Sequence, residues 1–136
     1  IKDYVFPTMT PFWTDDVPGM KLVREISKQS DESGTEVRVH HYIRGVCSTF
    51  FMKEAMEWAK DNGGITGENI KKGMYAYKDW VPKGLEGVCL AANWSNDDHR
   101  GINQVNIYKG NYNGGDIAVE KVSQVTLKRR DDWLGY

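Results

Sequence analysis

Apolar residues recur at three- and four-residue spacing through the middle of the chain, and this pattern predicts its longest helix. Eight residues carry the pattern: Ile43, Val46, Cys47, Phe50, Phe51, Ala55, Met56 and Ala59. The helix is expected over residues 42–61, because Asn62-Gly63-Gly64 ends the run. A second helix is expected over residues 66–78, since Thr66 can cap it and Glu68 suits its first turn. Together they predict an αα-hairpin.

The segments before this hairpin carry weaker patterns. Tyr4–Thr8 is β-like and ends near Pro7. Acidic residues followed by Pro18 are typical of a helix start, and a modest apolar stripe then predicts a helix over residues 18–29. The Glu36–Tyr42 segment alternates and favours an extended conformation that runs directly into the long helix.

The last third of the chain is predicted to be rich in strands, over residues 87–127. Val88–Ala92, Gln104–Tyr108 and Ile117–Leu127 are expected to be β-structure, with turns at residues 95–98 and 111–115. Helices first and strands last indicate an α/β or α+β piece, whose strand order the periodicity leaves open.

The composition is typical of a globular protein but does not indicate its function. The chain has 136 residues, is 40% hydrophobic and 27% charged, and carries a formal net charge of −1. These values are typical of one globular domain and give no support to a nucleic-acid binder. The sequence contains no stretch of about 18 apolar residues, the length that crosses a bilayer. Because it opens without Met or a signal peptide, we expect a fragment or a processed piece.

The two cysteines are separated by 42 residues, which fits no short metal-ligand spacing. Cys47 falls on the apolar face of the long helix and Cys89 in a predicted apolar strand. Both are most simply interpreted as small buried hydrophobic residues. A disulfide between them, in an oxidising compartment, stays open as an alternative.

The order of several short motifs resembles the final third of branched-chain amino-acid binding proteins. The motifs are Thr14-Asp15-Asp16-Val17-Pro18-Gly19, Ile65-Thr66-Gly67-Glu68-Asn69-Ile70, Gly84-Leu85-Glu86-Gly87-Val88, Asn96-Asp97-Asp98-His99-Arg100-Gly101 and Val105-Asn106-Ile107-Tyr108-Lys109. In that family a Gly-Leu-x-Gly-Pro run leads into an Asp-His-Arg-Gly turn and a Val-x-Ile-Tyr strand. The resemblance covers roughly residues 4–133, although Val88 stands where proline is commoner and the tail after Asp116 departs from the usual ending.

This resemblance implies the C-terminal portion of a two-lobed, type I periplasmic-binding fold, an α/β architecture. It also implies a non-catalytic receptor outside the cytoplasm, periplasmic or at the cell surface. Such a receptor delivers a small amino acid, or a related amide or carboxylate, to an ABC permease. The alternative is a ligand-sensing ectodomain or regulatory domain of the same fold. A signal peptide, a lipobox or a transmembrane helix ahead of Ile1 would distinguish the two.

Four residues are candidates for contact with the ligand. The family brings the segment ahead of the long helix to its cleft, so the resemblance implies roles for Tyr42, His41 and Val37, with Trp13 near the cleft mouth. Packing at a helix entrance is the alternative role for Tyr42, and hinge packing is the alternative for Trp13. Most of the groups that hold the ligand in this family belong to the half that precedes this chain.

Metal and catalytic sites are weaker hypotheses. His40, His41 and His99 could be imagined as metal ligands, but adjacent residues on a strand point to opposite faces. The Asp97–Arg100 run pairs carboxylates with an imidazole, yet the resemblance implies a turn there. We therefore expect no catalytic residues, metal, cofactor or nucleic acid.

A last expectation concerns the isolated chain. Its long apolar helix face and its unpaired strand edges, near Tyr4–Thr8 and Gln104–Tyr108, would need cover. This predicts a homodimer that exchanges strands or helices.

Overall fold

Three helices and two small antiparallel sheets form the part of the chain that the structure, a computed structural model, describes: residues 2–31, 33–130 and 132. The helices are α1 (Met20–Lys28), α2 (His40–Asp61) and α3 (Gly67–Tyr75). The strands are β1 (Tyr4–Thr8), β2 (Ala92–Asn93), β3 (Gly101–Ile102), β4 (Gln104–Asn113) and β5 (Asp116–Thr126).

The helices lie where the apolar periodicity predicts them, with shifts of one to three residues at five of their six ends. Helix α2 starts two residues earlier than expected, because the extended conformation ends at Val39. Helix α3 has its predicted cap, with the Asn69 N–H donating to Thr66 Oγ1 at 3.2 Å. It ends before residue 78, since Asp79 and Trp80 bond instead to Asn93 and Ala92, far along the chain.

Helices α2 and α3 form the predicted hairpin, and a glycine allows their close approach. A Cβ built on Gly73 would lie 2.6 Å from the carbonyl oxygen of Ala55 in α2. The glycine stop works as expected, because the Gly64 N–H donates to the carbonyl of Ala59 at 2.9 Å.

The core lies between α1, α2 and the segment that leads to β2. Its fully or nearly fully buried side chains include Met20, Val23, Ile43, Phe51, Ala55, Trp80, Leu85, Val88 and Ala92. The part of the α2 apolar face formed by Ile43, Val46, Phe51 and Ala55 is therefore covered by neighbouring parts of the same chain, whereas Met52 and Met56 stay exposed.

The larger sheet has the order β1-β4-β5 and is antiparallel throughout. Phe6 pairs with Tyr108, and the β4–β5 hairpin is longer than the sequence predicts, turning at residues 114–115. Tyr108 is fully buried and its hydroxyl donates to Asp15 Oδ2, which ties this sheet to the loop ahead of α1.

The predicted strand Val88–Ala92 is wrong over most of its length. Residues 82–89 form successive turns, in which the Cys89 and Val88 N–H groups both donate to the carbonyl of Leu85. Gly87 enables this path with a φ of 79°. Only Ala92–Asn93 is a strand, paired with Gly101–Ile102.

The two cysteines form a disulfide, which corrects their simplest interpretation as separate buried hydrophobic residues. Cys47 on α2 and Cys89 on the turn segment have Cα atoms 5.7 Å apart. The turns of residues 82–89 bring Cys89 against α2, so the bond depends on the irregular segment that replaces the predicted strand.

The two reasons for expecting a dimer hold only in part. Ile43 and Val46 are buried within the chain and β4 is paired on both sides, whereas Met56 stays exposed and β1 is an edge strand of its sheet. Other apolar side chains stay exposed, among them Val5, Ile117 and Val122 of the larger sheet. The homodimer stays a prediction that rests on these residues.

Candidate functional site

Two neighbouring cavities lie between the loop that follows β1 and helix α2. The polar cavity, of about 280 Å³, is lined by Pro7, Thr8, Met9, Thr10, His40, His41 and Arg44. The apolar cavity, of about 330 Å³, is lined mainly by hydrophobic side chains, among them Phe51, Met74 and Trp94. The Cys47–Cys89 disulfide also forms part of its wall. Because Met9, Thr10 and Arg44 line both, the two cavities meet at these residues.

The first turns of α2 bring an arginine and two ionisable histidines to the polar cavity. His40 and His41 are the first residues of the helix, and Arg44 follows one turn later. The N-cap Val39 has an extended backbone and makes no side-chain capping bond. The positive end of the helix dipole therefore lies at this cavity together with the three side chains.

The pKa of His40 is lowered from its usual value near 6.5. Burial is the largest cause, and the positive charges of His41 and Arg44 add to it. His40 also packs against Phe12, with ring centroids 5.3 Å apart. Within the described residues, no carboxylate lies within ion-pair distance of Arg44.

A buried hydroxyl marks the place where the two cavities meet. Thr10 is 3% exposed, and its Oγ1 has no hydrogen-bond partner in the described part of the chain. Its neighbour Thr8 is satisfied, since Thr8 Oγ1 donates to the Thr10 carbonyl and accepts from the Thr10 N–H. An unpaired buried hydroxyl costs about 1–3 kcal/mol. This oxygen is itself shielded from solvent, so a polar group in the cavity would reach it only after the Thr10 side chain rotates.

Two of the four ligand-contact candidates, His41 and Tyr42, line different cavities. His41 lines the polar cavity, whereas Tyr42 lines a separate cavity of about 330 Å³ with Ile26 and Phe50. Trp13 packs against Tyr42 with ring centroids 6.4 Å apart. Val37 is 69% exposed on the extended segment. The described chain alone does not bring these four side chains together.

Sequence reasoning did not select Thr10 or Arg44. Arg44 stands three residues after His41, a spacing that places two side chains on one helix face, and that signal was present in the sequence. Thr10 had no comparable signal, because its approach to α2 depends on the tertiary fold.

The histidine pair follows helical rather than strand geometry. His40 and His41 open α2, so the opposite-face argument against a shared metal is wrong in its premise. Cys47 is in the disulfide, and His99 Nε2 lies 2.7 Å from the Tyr75 hydroxyl. The described residues contain no group of three potential metal ligands.

The Asp97–Arg100 run forms a turn held by Asp98. Arg100 donates to both carboxylate oxygens of Asp98, and Arg129 donates to one of them. The hydrogen bonds from Arg100, with further help from Arg129, hold the pKa of Asp98 well below its usual range. Asp98 therefore ties the segment after β5 to the turn that precedes β3, which agrees with a structural role.

Comparison with known proteins identifies the fold. The sequence matches no protein-family model and no curated protein. A crystal structure of a branched chain amino acid ABC transporter from Thermus thermophilus with bound valine is similar, with a TM-score of 0.64 and 19% identity. The match covers 90% of this chain and 34% of the solved chain. The chain thus has the fold of part of a type I periplasmic-binding protein, as predicted.

Membrane-spanning segments were sought separately. Among the described helices, none combines the length and the apolarity needed to cross a bilayer.

Proposed function

We propose that this chain is the C-terminal part of a non-catalytic solute receptor. The receptor binds a small amino acid, or a related amide or carboxylate, and delivers it to an ABC permease. The observation that carries this proposal is the pair of cavities that meet at Thr10 and Arg44, on a fold like that of a transporter protein with bound valine. An apolar chamber beside a few polar groups is the usual design of a small-molecule site.

A location outside the cytoplasm has support that is independent of the fold. Disulfides persist in oxidising compartments and are rare in the cytosol. The Cys47–Cys89 bond links parts of the chain 42 residues apart through the core. This bond favours a periplasmic or cell-surface protein.

The ligand contacts follow from the two cavities. His41 and Arg44 contact the ligand's polar end. Tyr42, Trp13 and Val37 contribute a second part of the cleft wall in the complete receptor, where another lobe would close over them.

A thermal-shift screen tests the proposal. Amino acids, amides and aromatic acids are added to the protein, and a ligand at about 100 times its Kd should add about 2.7 kcal/mol of stability. Product analysis of the same mixtures is the second measurement. Sustained conversion of any compound would contradict a receptor and indicate an enzyme.

A further inference from the structure

The two cavities carry charge of one sign. Arg44, His40 and His41 supply cationic or ionisable groups, and the described residues that line the cavities include no aspartate or glutamate. The positive end of α2 adds to the same potential. A ligand's negative group would gain a charged partner here, whereas a positive group would meet no carboxylate among the described lining residues.

We propose that this site, within the receptor function proposed above, selects an apolar-tailed monocarboxylate that lacks an ammonium group. The carboxylate binds the guanidinium of Arg44 at the meeting point of the cavities. The hydrocarbon body fills the apolar cavity against Phe51, Trp94 and the disulfide. Branched 2-oxo acids and small aromatic acids have this chemistry.

Arg44 suits a ligand carboxylate because no carboxylate of the described chain is already paired with its guanidinium. No carboxylate pairs with it in the described chain, and a planar guanidinium binds a carboxylate through two parallel hydrogen bonds. The binding of an anion therefore breaks no existing ion pair.

Thr10 explains why an oxo group is favoured over an ammonium. Its buried hydroxyl lacks a partner, and after a side-chain rotation toward the cavity it would donate to a ligand oxygen. An ammonium would give up its hydration for neutral acceptors only, such as the hydroxyls of Thr10 and Ser48, while facing Arg44 and the two histidines, and burying an unpaired charge is costly. Leucine and its 2-oxo analogue share one carbon skeleton and one carboxylate. A comparison of their affinities therefore measures the effect of replacing the ammonium by an oxo group.

Isothermal calorimetry and NMR on the full chain test the proposal, with 4-methyl-2-oxopentanoate, leucine and acetate as ligands. The 2-oxo acid should bind in the millimolar range or tighter and shift the ring signals of His40 and His41. Leucine should bind at least about tenfold more weakly, because its ammonium would lose hydration beside Arg44 without gaining a carboxylate partner. Acetate, which has no hydrocarbon body, should not bind measurably.

Two variants assign the contacts. Arg44→Gln should weaken binding of the 2-oxo acid at least about tenfold, whereas Lys60→Gln, which removes the same charge from the exposed far end of α2, should leave it unchanged. Thr10→Val should also weaken binding without loss of stability, because the hydroxyl that it removes is unpaired. A melting curve of each variant confirms folding.

The failures of the two proposals are distinguishable. Tighter binding of leucine, an unchanged affinity in Arg44→Gln, or no binding of the 2-oxo acid in the millimolar range would overturn the monocarboxylate proposal. A receptor for another solute would survive these results. Conversion of the bound acid to a product would instead overturn the receptor function and leave the site assignment standing.

Discussion

Reduction of the Cys47–Cys89 disulfide should destabilise the protein strongly while leaving its fold intact. The bond closes a loop between residues 42 apart in sequence. In the chain-entropy model a loop of this length restricts the unfolded chain by about 4 kcal/mol at 25 °C. Small domains are stable by only about 5–15 kcal/mol, so the loss is a large fraction of the total.

The native contacts of the linked segments do not depend on the bond alone. Trp80 and Ala92, which flank the Cys89 turns, exchange backbone hydrogen bonds of 2.9 Å, and Trp80 packs edge-on against Phe51 of α2. We therefore expect the reduced protein to stay folded. The loss of the disulfide then lowers stability mainly because the unfolded chain gains conformational entropy.

Urea unfolding followed by tryptophan fluorescence measures this effect, because the chain has five tryptophans. The chain has two cysteines, so a reductant acts on this bond alone. The wild-type midpoint should fall on reduction, and the Cys47→Ala/Cys89→Ala protein should not respond to reductant. An unchanged wild-type midpoint, or an equal response of the double variant, would refute the reasoning.

Four further predictions follow from particular contacts. Gly73→Ala should destabilise by about 1–3 kcal/mol, because its Cβ would meet the carbonyl of Ala55 at 2.6 Å. Gly45→Ala on α2, where nothing lies within 4 Å, is the matched control and should stabilise by about 0.5–1 kcal/mol in the same urea experiment. Asp98→Asn should lower the free energy of unfolding at neutral pH. The difference in this free energy between variant and wild type should shrink below about pH 4, because a carboxylate with a lowered pKa stabilises the fold only while it is ionised. A difference that stays constant with pH would contradict this. Tyr42→Ala should lower solute affinity in the complete receptor by about 1–3 kcal/mol, and an unchanged affinity with a large fall in melting temperature would assign Tyr42 to packing. Light scattering should give twice the chain mass if the exposed apolar residues of the sheet join two copies, and a monomer would exclude the dimer.

Several features were determined by short stretches of sequence. The spacing of Ile43, Ala55 and Ala59 was enough to predict α2 and its buried face, because helical contacts join residues three or four apart. The Thr66 cap was predictable for the same reason, since donor and acceptor are three residues apart. The family-like order of motifs added the fold class, which the structural likeness confirms.

Other features were decided by the tertiary structure. The Val88–Ala92 stretch has a strand composition, but turns closed by Leu85 and packing on α2 override it and place Cys89 beside Cys47. Local alternation also misassigned His40 and His41, which α2 includes. Thr10 and Arg44 line the same cavities because β1 is anchored in the sheet and the core positions α2, so contacts made far along the chain determine the candidate site.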